Sequence, residues 1–146
     1  MKIPGPDHPI TITPSRERVR VTFNGKVVAD TSRALVLQEA SYKPVFYIPR
    51  EDAQMALTAK TAHSTHCPYK GDATYYTIKA DGREAENAIW SYETPFPAMK
   101  QIEGTAGYAT FNFTSEGNRY IIDNFRATET ALKPASRRGT SLWLCR

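Results

Sequence analysis

Polar and apolar residues alternate with a period of two near the start of the chain. Residues 17–23 alternate in this way, and residues 26–29 resume the pattern after Asn24-Gly25. An Asn-Gly pair between two such runs is the strongest short-range signal for a β-hairpin. The pattern therefore predicts two antiparallel strands joined by a tight turn.

Short aliphatic and aromatic runs continue along the chain. They predict further strands over residues 34–38, 45–48, 74–79, 86–92, 108–113 and 119–122, with turns at Asp81-Gly82 and Gly117-Asn118. Residues 50–57 carry early acidic residues and good helix formers, which predict one short helix of about two turns. About eight short strands with Gly and Pro turns predict a mainly β, compact single domain, either a sheet, a barrel or a sandwich.

The two ends of the chain differ from this central domain. Residues 1–14 contain four prolines and predict an extended N-terminal arm, residues 15–122 form the single β-rich domain, and residues 123–146 lack a clear period. With 146 residues the chain is long enough for one hydrophobic core. Because the C-terminal segment ends in large apolar groups, we expect it either to dock as an edge strand or to pack against a second copy of the chain.

The net charge of +4 is concentrated at the C-terminus. Lys133, Arg137, Arg138 and Arg146 stand there without an acidic residue, which leaves fifteen basic residues to balance fifteen acidic ones in residues 1–132. A neutral body with a basic tail lacks the continuous positive face of a nucleic-acid-binding protein. The sequence also has no long apolar run and only two cysteines, so we expect a cytoplasmic protein without a membrane segment.

Reactive side chains are concentrated in residues 63–76. Cys67 lies beside His66 and near Lys70, and a neighbouring base or positive charge can convert a thiol into a nucleophilic thiolate. The alternative is that Cys67 is a buried small hydrophobic residue. Possible zinc ligands are present in His63, His66 and Cys67, but their spacing is not that of a structural zinc site. We therefore predict neither a metal nor a cofactor.

Several other side chains suit a small-molecule pocket. Lys70 and Arg33 are candidates to hold an anionic group, although no phosphate-loop motif is present. Glu39 stands at the end of a predicted strand and offers a carboxylate. Trp90 and Tyr92 are two positions apart on a predicted strand and therefore share one of its faces.

The chain resembles a family known as the domain of unknown function family 427 over about residues 18–104. The resemblance rests on Phe23-Asn24-Gly25, Val28-Ala29-Asp30, Arg33, Glu39, Tyr47-Ile48-Pro49, Asp52, Thr65-x-Cys67-Pro68-Tyr69-Lys70-Gly71-x-Ala73-x-Tyr75, Ala88-x-Trp90-x-Tyr92, Pro95 and Ile102-x-Gly104. It implies a β-tent fold like that of Mss4-type proteins, with a pocket near the Cys67–Gly71 loop. The family also carries a nucleotidyltransferase label, but the paired D-x-D carboxylates that hold two metal ions in such enzymes are missing from this sequence.

Three functional hypotheses follow. The first is a β domain that binds a small anionic metabolite, with a pocket formed by Arg33, Glu39, Tyr47, Cys67, Tyr69, Lys70, Trp90 and Tyr92. The second is an enzyme that acts on a small or nucleotide-like metabolite. Lys70 would be its electrophilic clamp, Cys67 or Glu39 its nucleophile or base, and His66 its proton carrier. The third is a structural or interaction module.

Overall fold

The computed structural model describes residues 1–109, 113–116 and 119–122, and the predicted basic tail lies outside these residues. Most of the described chain lies in two β-sheets. The large sheet contains β1 (Ile10–Pro14), β4 (Leu35–Glu39), β5 (Val45–Pro49), β6 (Thr58–Cys67), β7 (Gly71–Ala80), β8 (Arg83–Ser91) and β9 (Thr105–Tyr108). The small sheet contains β2 (Arg18–Phe23), β3 (Lys26–Thr31), β10 (Phe113–Glu116) and β11 (Arg119–Ile122).

The large sheet is antiparallel throughout and has the strand order β1-β4-β5-β9-β8-β7-β6. The small sheet has the order β10-β11-β2-β3, and β11 runs parallel to β2. The predicted mainly β class is confirmed. Of the predicted architectures, the structure adopts an open sheet, which is not closed into a barrel.

Both predicted hairpins in the first hundred residues are confirmed. β2 pairs with β3 across Asn24-Gly25, and β7 pairs with β8 across Asp81-Gly82. All four turn residues have positive φ, which is the requirement of a type I′ turn. Such turns match the twist of the strands that they connect, so the sequence signal and the pairing agree.

The segment predicted as one short helix forms two separate 3-10 turns, Arg50–Asp52 and Met55–Leu57. Between them, Ala53 forms a β-bridge with Ala29, and the Gln54 N–H donates to the carbonyl of Val28 at 2.7 Å. These tertiary hydrogen bonds hold the chain extended where a continuous helix would need it coiled. A third 3-10 segment, Pro97–Ile102, connects β8 to β9.

Strands β1 and β6 are additional to the predicted set, and the strand predicted over residues 108–113 overlaps only the last residue of β9 and the first residue of β10. β1 forms the second half of the proline-rich arm and pairs with β4. β6 pairs with β7 and includes His63 and His66, so the reactive stretch 63–76 is mostly a β-hairpin.

The strand register divides the central side chains of the large sheet between its two faces. Tyr75, Trp90, Gly107 and Tyr47 are cross-strand partners in one row, on what we call the Lys70 face. Lys60, Tyr76, Ile89 and Tyr108 form the neighbouring row, on what we call the Arg50 face. Successive residues of a strand point to opposite faces, so the two rows are separated by the backbone of the sheet.

Each face carries buried residues at its centre, since Tyr47 and Ile89 are both fully buried. The sheet is therefore covered on both sides and contributes to one hydrophobic core. Among the described residues, no helix has the length and apolar character needed to cross a membrane.

Candidate functional site

The hairpin loop between β6 and β7 carries the central group of the site. Cys67 pairs with Gly71, which leaves Pro68, Tyr69 and Lys70 as a three-residue loop. Gly71 has a φ of +112°, which side chains rarely tolerate. The carbonyl of Lys70 accepts a hydrogen bond from the Phe96 N–H at 2.9 Å, and this contact fixes the loop against the segment that follows β8.

The loop points the Lys70 side chain into the core. Its ammonium donates to Oε1 of Glu39, at the end of β4, over 2.5 Å. The two side chains are only 1% and 4% exposed. Nζ also lies 3.9 Å from Sγ of the buried Cys67. Three predicted site residues from β4, β6 and the loop thus come together in a buried ion pair with a thiol beside it.

His8, which is not among the predicted site residues, completes this group. His8 places Nε2 2.7 Å from Oε2 of Glu39, and its ring stacks on Tyr69 with 4.3 Å between the ring centroids. The side chain of His8 is 24% exposed. Glu39 therefore lies between two basic groups, one fully buried and one at the surface.

The N-terminal arm lies over this group. The Lys2 N–H donates to the Pro68 carbonyl at 2.7 Å, and the Ala40 N–H donates to the Pro9 carbonyl at 2.8 Å. Most side chains of residues 1–9 are exposed. The arm is thus attached to the loop and to the end of β4 by a small number of contacts, and it covers the ion pair.

Aromatic residues line the Lys70 face next to the ion pair. The Trp90 indole N–H donates to the Tyr47 hydroxyl at 3.2 Å, and both side chains are buried. Burial raises the pKa of Tyr47, and the negative charge of Glu39 raises it further, so the hydroxyl stays protonated. Tyr92 is fully buried in the same core.

Arg33 is not part of this group. Its guanidinium contacts the carboxylates of Asp52 and Glu51 at 3.0 and 3.3 Å. The hydrogen bond from Arg33 holds the pKa of Asp52 below its usual range. Arg33 therefore binds the carboxylates of the first 3-10 turn and does not lie with Lys70, the residue with which it was predicted to hold an anionic group.

His66 also lies apart from the thiol. Its Nδ1 is 2.7 Å from Oδ1 of Asp72, and both side chains are exposed. Because His66 and Cys67 are consecutive residues of β6, they point to opposite faces of the sheet. The imidazole of His66 and the thiol of Cys67 therefore lie on opposite sides of the sheet, and the structure does not bring these two predicted site residues together. In the part of the chain that the structure describes, no three His, Cys, Asp or Glu side chains are grouped as metal ligands.

Comparison with known proteins supports the resemblance noted in the sequence. The family model for the domain of unknown function DUF427 matches residues 11–116, which is most of the chain. The chain belongs to the DUF427 family. No curated protein has a sequence that matches it.

This DUF427 domain also has an open groove of about 630 Å³ at the edge strand β6. The groove is lined by Ala59, Lys60, Thr61, Ala62, His63, Thr77, Lys79, Glu84, Glu86 and Asn87. None of the predicted pocket residues is among them. The groove and the buried Lys70–Glu39 pair are therefore separate features of the domain.

Proposed function

We propose that this DUF427 domain binds a small molecule with an acid group at the Lys70–Glu39 pair, beneath residues 1–9. The observation that carries the proposal is the position of the Glu39 carboxylate between the buried ammonium of Lys70 and the imidazole of His8. A ligand acid group can take the place that Glu39 now holds beside one of these basic groups.

Stability alone is a weak explanation for the pair. Removing two charges from water costs several kcal/mol per ion, and apolar residues of similar volume often serve a fold as well or better. Charged groups held in a buried position beside a thiol and a histidine are more typical of binding and catalytic sites. We therefore assign the pair a role in binding.

The charge and the neighbours of the pair define the ligand class. Two basic groups, Lys70 and His8, share the one carboxylate of Glu39, so the group suits an added acid better than an added base. Tyr69 stacks on His8, and Trp90 and Tyr47 line the same face, which offers apolar contact to the remainder of a ligand. A small organic acid or phosphate ester with a planar or apolar portion fits this arrangement.

A thermal-stability screen tests the proposal. The wild-type protein is heated with AMP, ribose 5-phosphate, citrate or malonate at matched ionic strength. A ligand present at a hundred times its Kd should stabilise the fold by about 2.7 kcal/mol, which is a clear rise in Tm. The same ligands are then added to the double variant Lys70→Met/Glu39→Gln, which keeps the shape of the pair and removes both charges.

The expected result is a Tm rise in the wild type that the double variant loses. Lys79→Met serves as the matched control, because Lys79 on β7 is an exposed lysine that forms a surface ion pair with Glu84 on β8. If none of the ligands shifts the wild type, or if the double variant responds like the wild type, the proposal is wrong.

A second candidate function is nucleophilic catalysis by Cys67, and the 3.9 Å distance between Sγ and the Lys70 ammonium favours it. A nearby cation stabilises a thiolate. Alkylation of Cys67 by iodoacetamide at pH 7, measured by peptide mass mapping, should then be faster in the wild type than in Lys70→Met/Glu39→Gln. Equal rates would remove this candidate.

A further inference from the structure

A second acid–base cluster lies on the Arg50 face of the large sheet. The Arg50 guanidinium contacts Oε2 of Glu93 at 3.0 Å and donates to the Tyr76 hydroxyl at 2.5 Å. The Tyr76 hydroxyl in turn donates to Glu93 at 2.8 Å, and the Lys60 ammonium lies 3.5 Å from the other oxygen of Glu93. These four side chains form one connected network.

The network carries more positive than negative charge. Hydrogen bonds from Tyr76 and Arg50 hold the pKa of Glu93 below its ordinary value, so its carboxylate is ionised at neutral pH. Arg50 and Lys60 are both cationic under the same conditions. One carboxylate therefore faces two cations, and the cluster has a net charge of +1.

The Tyr108 hydroxyl adds a donor for which the described residues offer no acceptor. It lies on the same face, in the row that contains Lys60 and Tyr76. Its residue is 2% exposed, and its hydroxyl makes no hydrogen bond with any part of the described chain. Burial raises the pKa of Tyr108, so its hydroxyl stays protonated, and the positive charge of Arg50 opposes this rise in part. A buried hydroxyl without a partner costs about 1 to 3 kcal/mol.

We propose that Arg50, Lys60 and Tyr108 form a binding site for a small oxyanion, a carboxylate or a phosphate group. Such a group supplies the two things that the cluster lacks, a second negative charge and an acceptor for the Tyr108 hydroxyl. Charge-assisted hydrogen bonds from a guanidinium and a hydroxyl are the usual means of holding these groups.

The partly exposed ion pair gives the oxyanion a path to Tyr108. The side chains of Arg50 and Glu93 are 32% and 35% exposed. A pair at this exposure contributes only about 1 kcal/mol or less, so its opening is inexpensive. An incoming oxyanion then replaces Glu93 beside Arg50 and accepts from Tyr108.

Titration with two simple anions tests the site. Inorganic phosphate and acetate are each added to the wild-type protein at constant ionic strength, with chloride as the balancing ion, while Tm and the NMR signal of the Arg50 side-chain N–H are followed. The expected result is a saturable Tm rise and a saturable Arg50 shift with at least one anion. The two arms distinguish a phosphate site from a carboxylate site.

The decisive variant is Tyr108→Phe, because it removes the unpartnered hydroxyl and leaves the packing of the ring in place. Its Tm without anion should equal or exceed that of the wild type, and its affinity for the anion should fall about tenfold, the loss expected for one hydrogen bond to a charged group. Lys60→Met should weaken binding by a smaller factor. Tyr42→Phe is the matched control, since Tyr42 is a partly exposed tyrosine outside the cluster.

Two results would overturn the site: no saturable response to either anion, or equal affinity in Tyr108→Phe and wild type. Tyr108→Phe leaves the Lys70–Glu39 pair intact, so a ligand of that pair should bind this variant normally. Failure of one site is thus distinguishable from failure of the other.

Discussion

The two faces of the large sheet carry similar arrangements of charge in different surroundings. On the Lys70 face, Glu39 lies between Lys70 and His8, and on the Arg50 face, Glu93 lies between Arg50 and Lys60. The Lys70–Glu39 pair is almost fully buried, whereas the Arg50–Glu93 pair is about one-third exposed.

This difference in burial changes what each pair does for the fold. A single unpaired charge in the core is very costly. Removing either Lys70 or Glu39 alone should therefore destabilise the fold strongly, because the remaining partner would be left as a buried charge. Near the surface, water replaces a lost partner, and the Arg50–Glu93 pair can open at little cost. The exposed pair can therefore exchange its partners at a lower cost than the buried pair.

The largest expected effect is that of Lys70→Met. The substitution leaves the Glu39 carboxylate buried with His8 as its remaining described partner, and we expect a loss of about 3 to 5 kcal/mol in the free energy of unfolding. Arg50→Met, the matched change on the other face, should cost about 1 kcal/mol. Urea unfolding of both variants measures the difference.

The double variant Lys70→Met/Glu39→Gln sharpens this comparison. Because it removes both charges, it should recover most of the stability that Lys70→Met loses, whereas Arg50→Met/Glu93→Gln should differ little from the sum of its single changes. If Lys70→Met lowers the free energy of unfolding no more than Arg50→Met does, the difference in burial between the two ion pairs does not affect stability as expected.

A smaller effect is expected from Gly107→Ala, which tests how tightly the Lys70 face is packed. A Cβ at this position would stand 2.6 Å from the indole ring of Trp90, which is held by its hydrogen bond to Tyr47. Such overpacking typically costs about 1 to 3 kcal/mol. Gly5→Ala is the control, since a Cβ there meets no atom within 4 Å. An unchanged urea midpoint for Gly107→Ala would mean that Trp90 can move aside.

The hairpins were predictable because their signals are local. The Asn24-Gly25 and Asp81-Gly82 turns have positive φ at both residues, and β2 beside the first turn alternates with the period of a half-buried strand. β6 was not predictable in this way. Its sequence is mostly polar, and its pairing with β7 shifts register between Lys60 and Ser64. It lies at the edge of the sheet, where hydrogen bonds to β7 rather than burial of side chains keep it extended.

The candidate site was predictable in part. The unusual combination of Lys70, Cys67 and Glu39 was recognisable from residue type and family resemblance, and the structure places the three in contact. His8 was not recognisable, because it reaches Glu39 across 31 positions of sequence. The alternation of apolar and polar residues that begins at Ile10 does indicate β1. Pairing of β1 with β4 sets Ile10 opposite Glu39 and so brings His8, two residues earlier, to the end of β4.

The smallest predicted effect concerns pH and belongs to the exposed pair. Hydrogen bonds from Tyr76 and Arg50 lower the pKa of Glu93 in the folded state from its ordinary value of 4.5. The unfolded chain therefore binds a proton at Glu93 more readily than the folded protein does, so this stabilisation is fully present above about pH 5 and is lost as the pH falls through the lowered pKa. Because Glu93 is partly exposed, we expect a contribution below about 1 kcal/mol.

Urea midpoints measured from pH 6 to pH 3 should fall less steeply in Glu93→Gln than in the wild type, with Glu103→Gln as a surface control. Parallel curves for Glu93→Gln and the wild type would show that the Arg50 face holds its carboxylate no more firmly than water does.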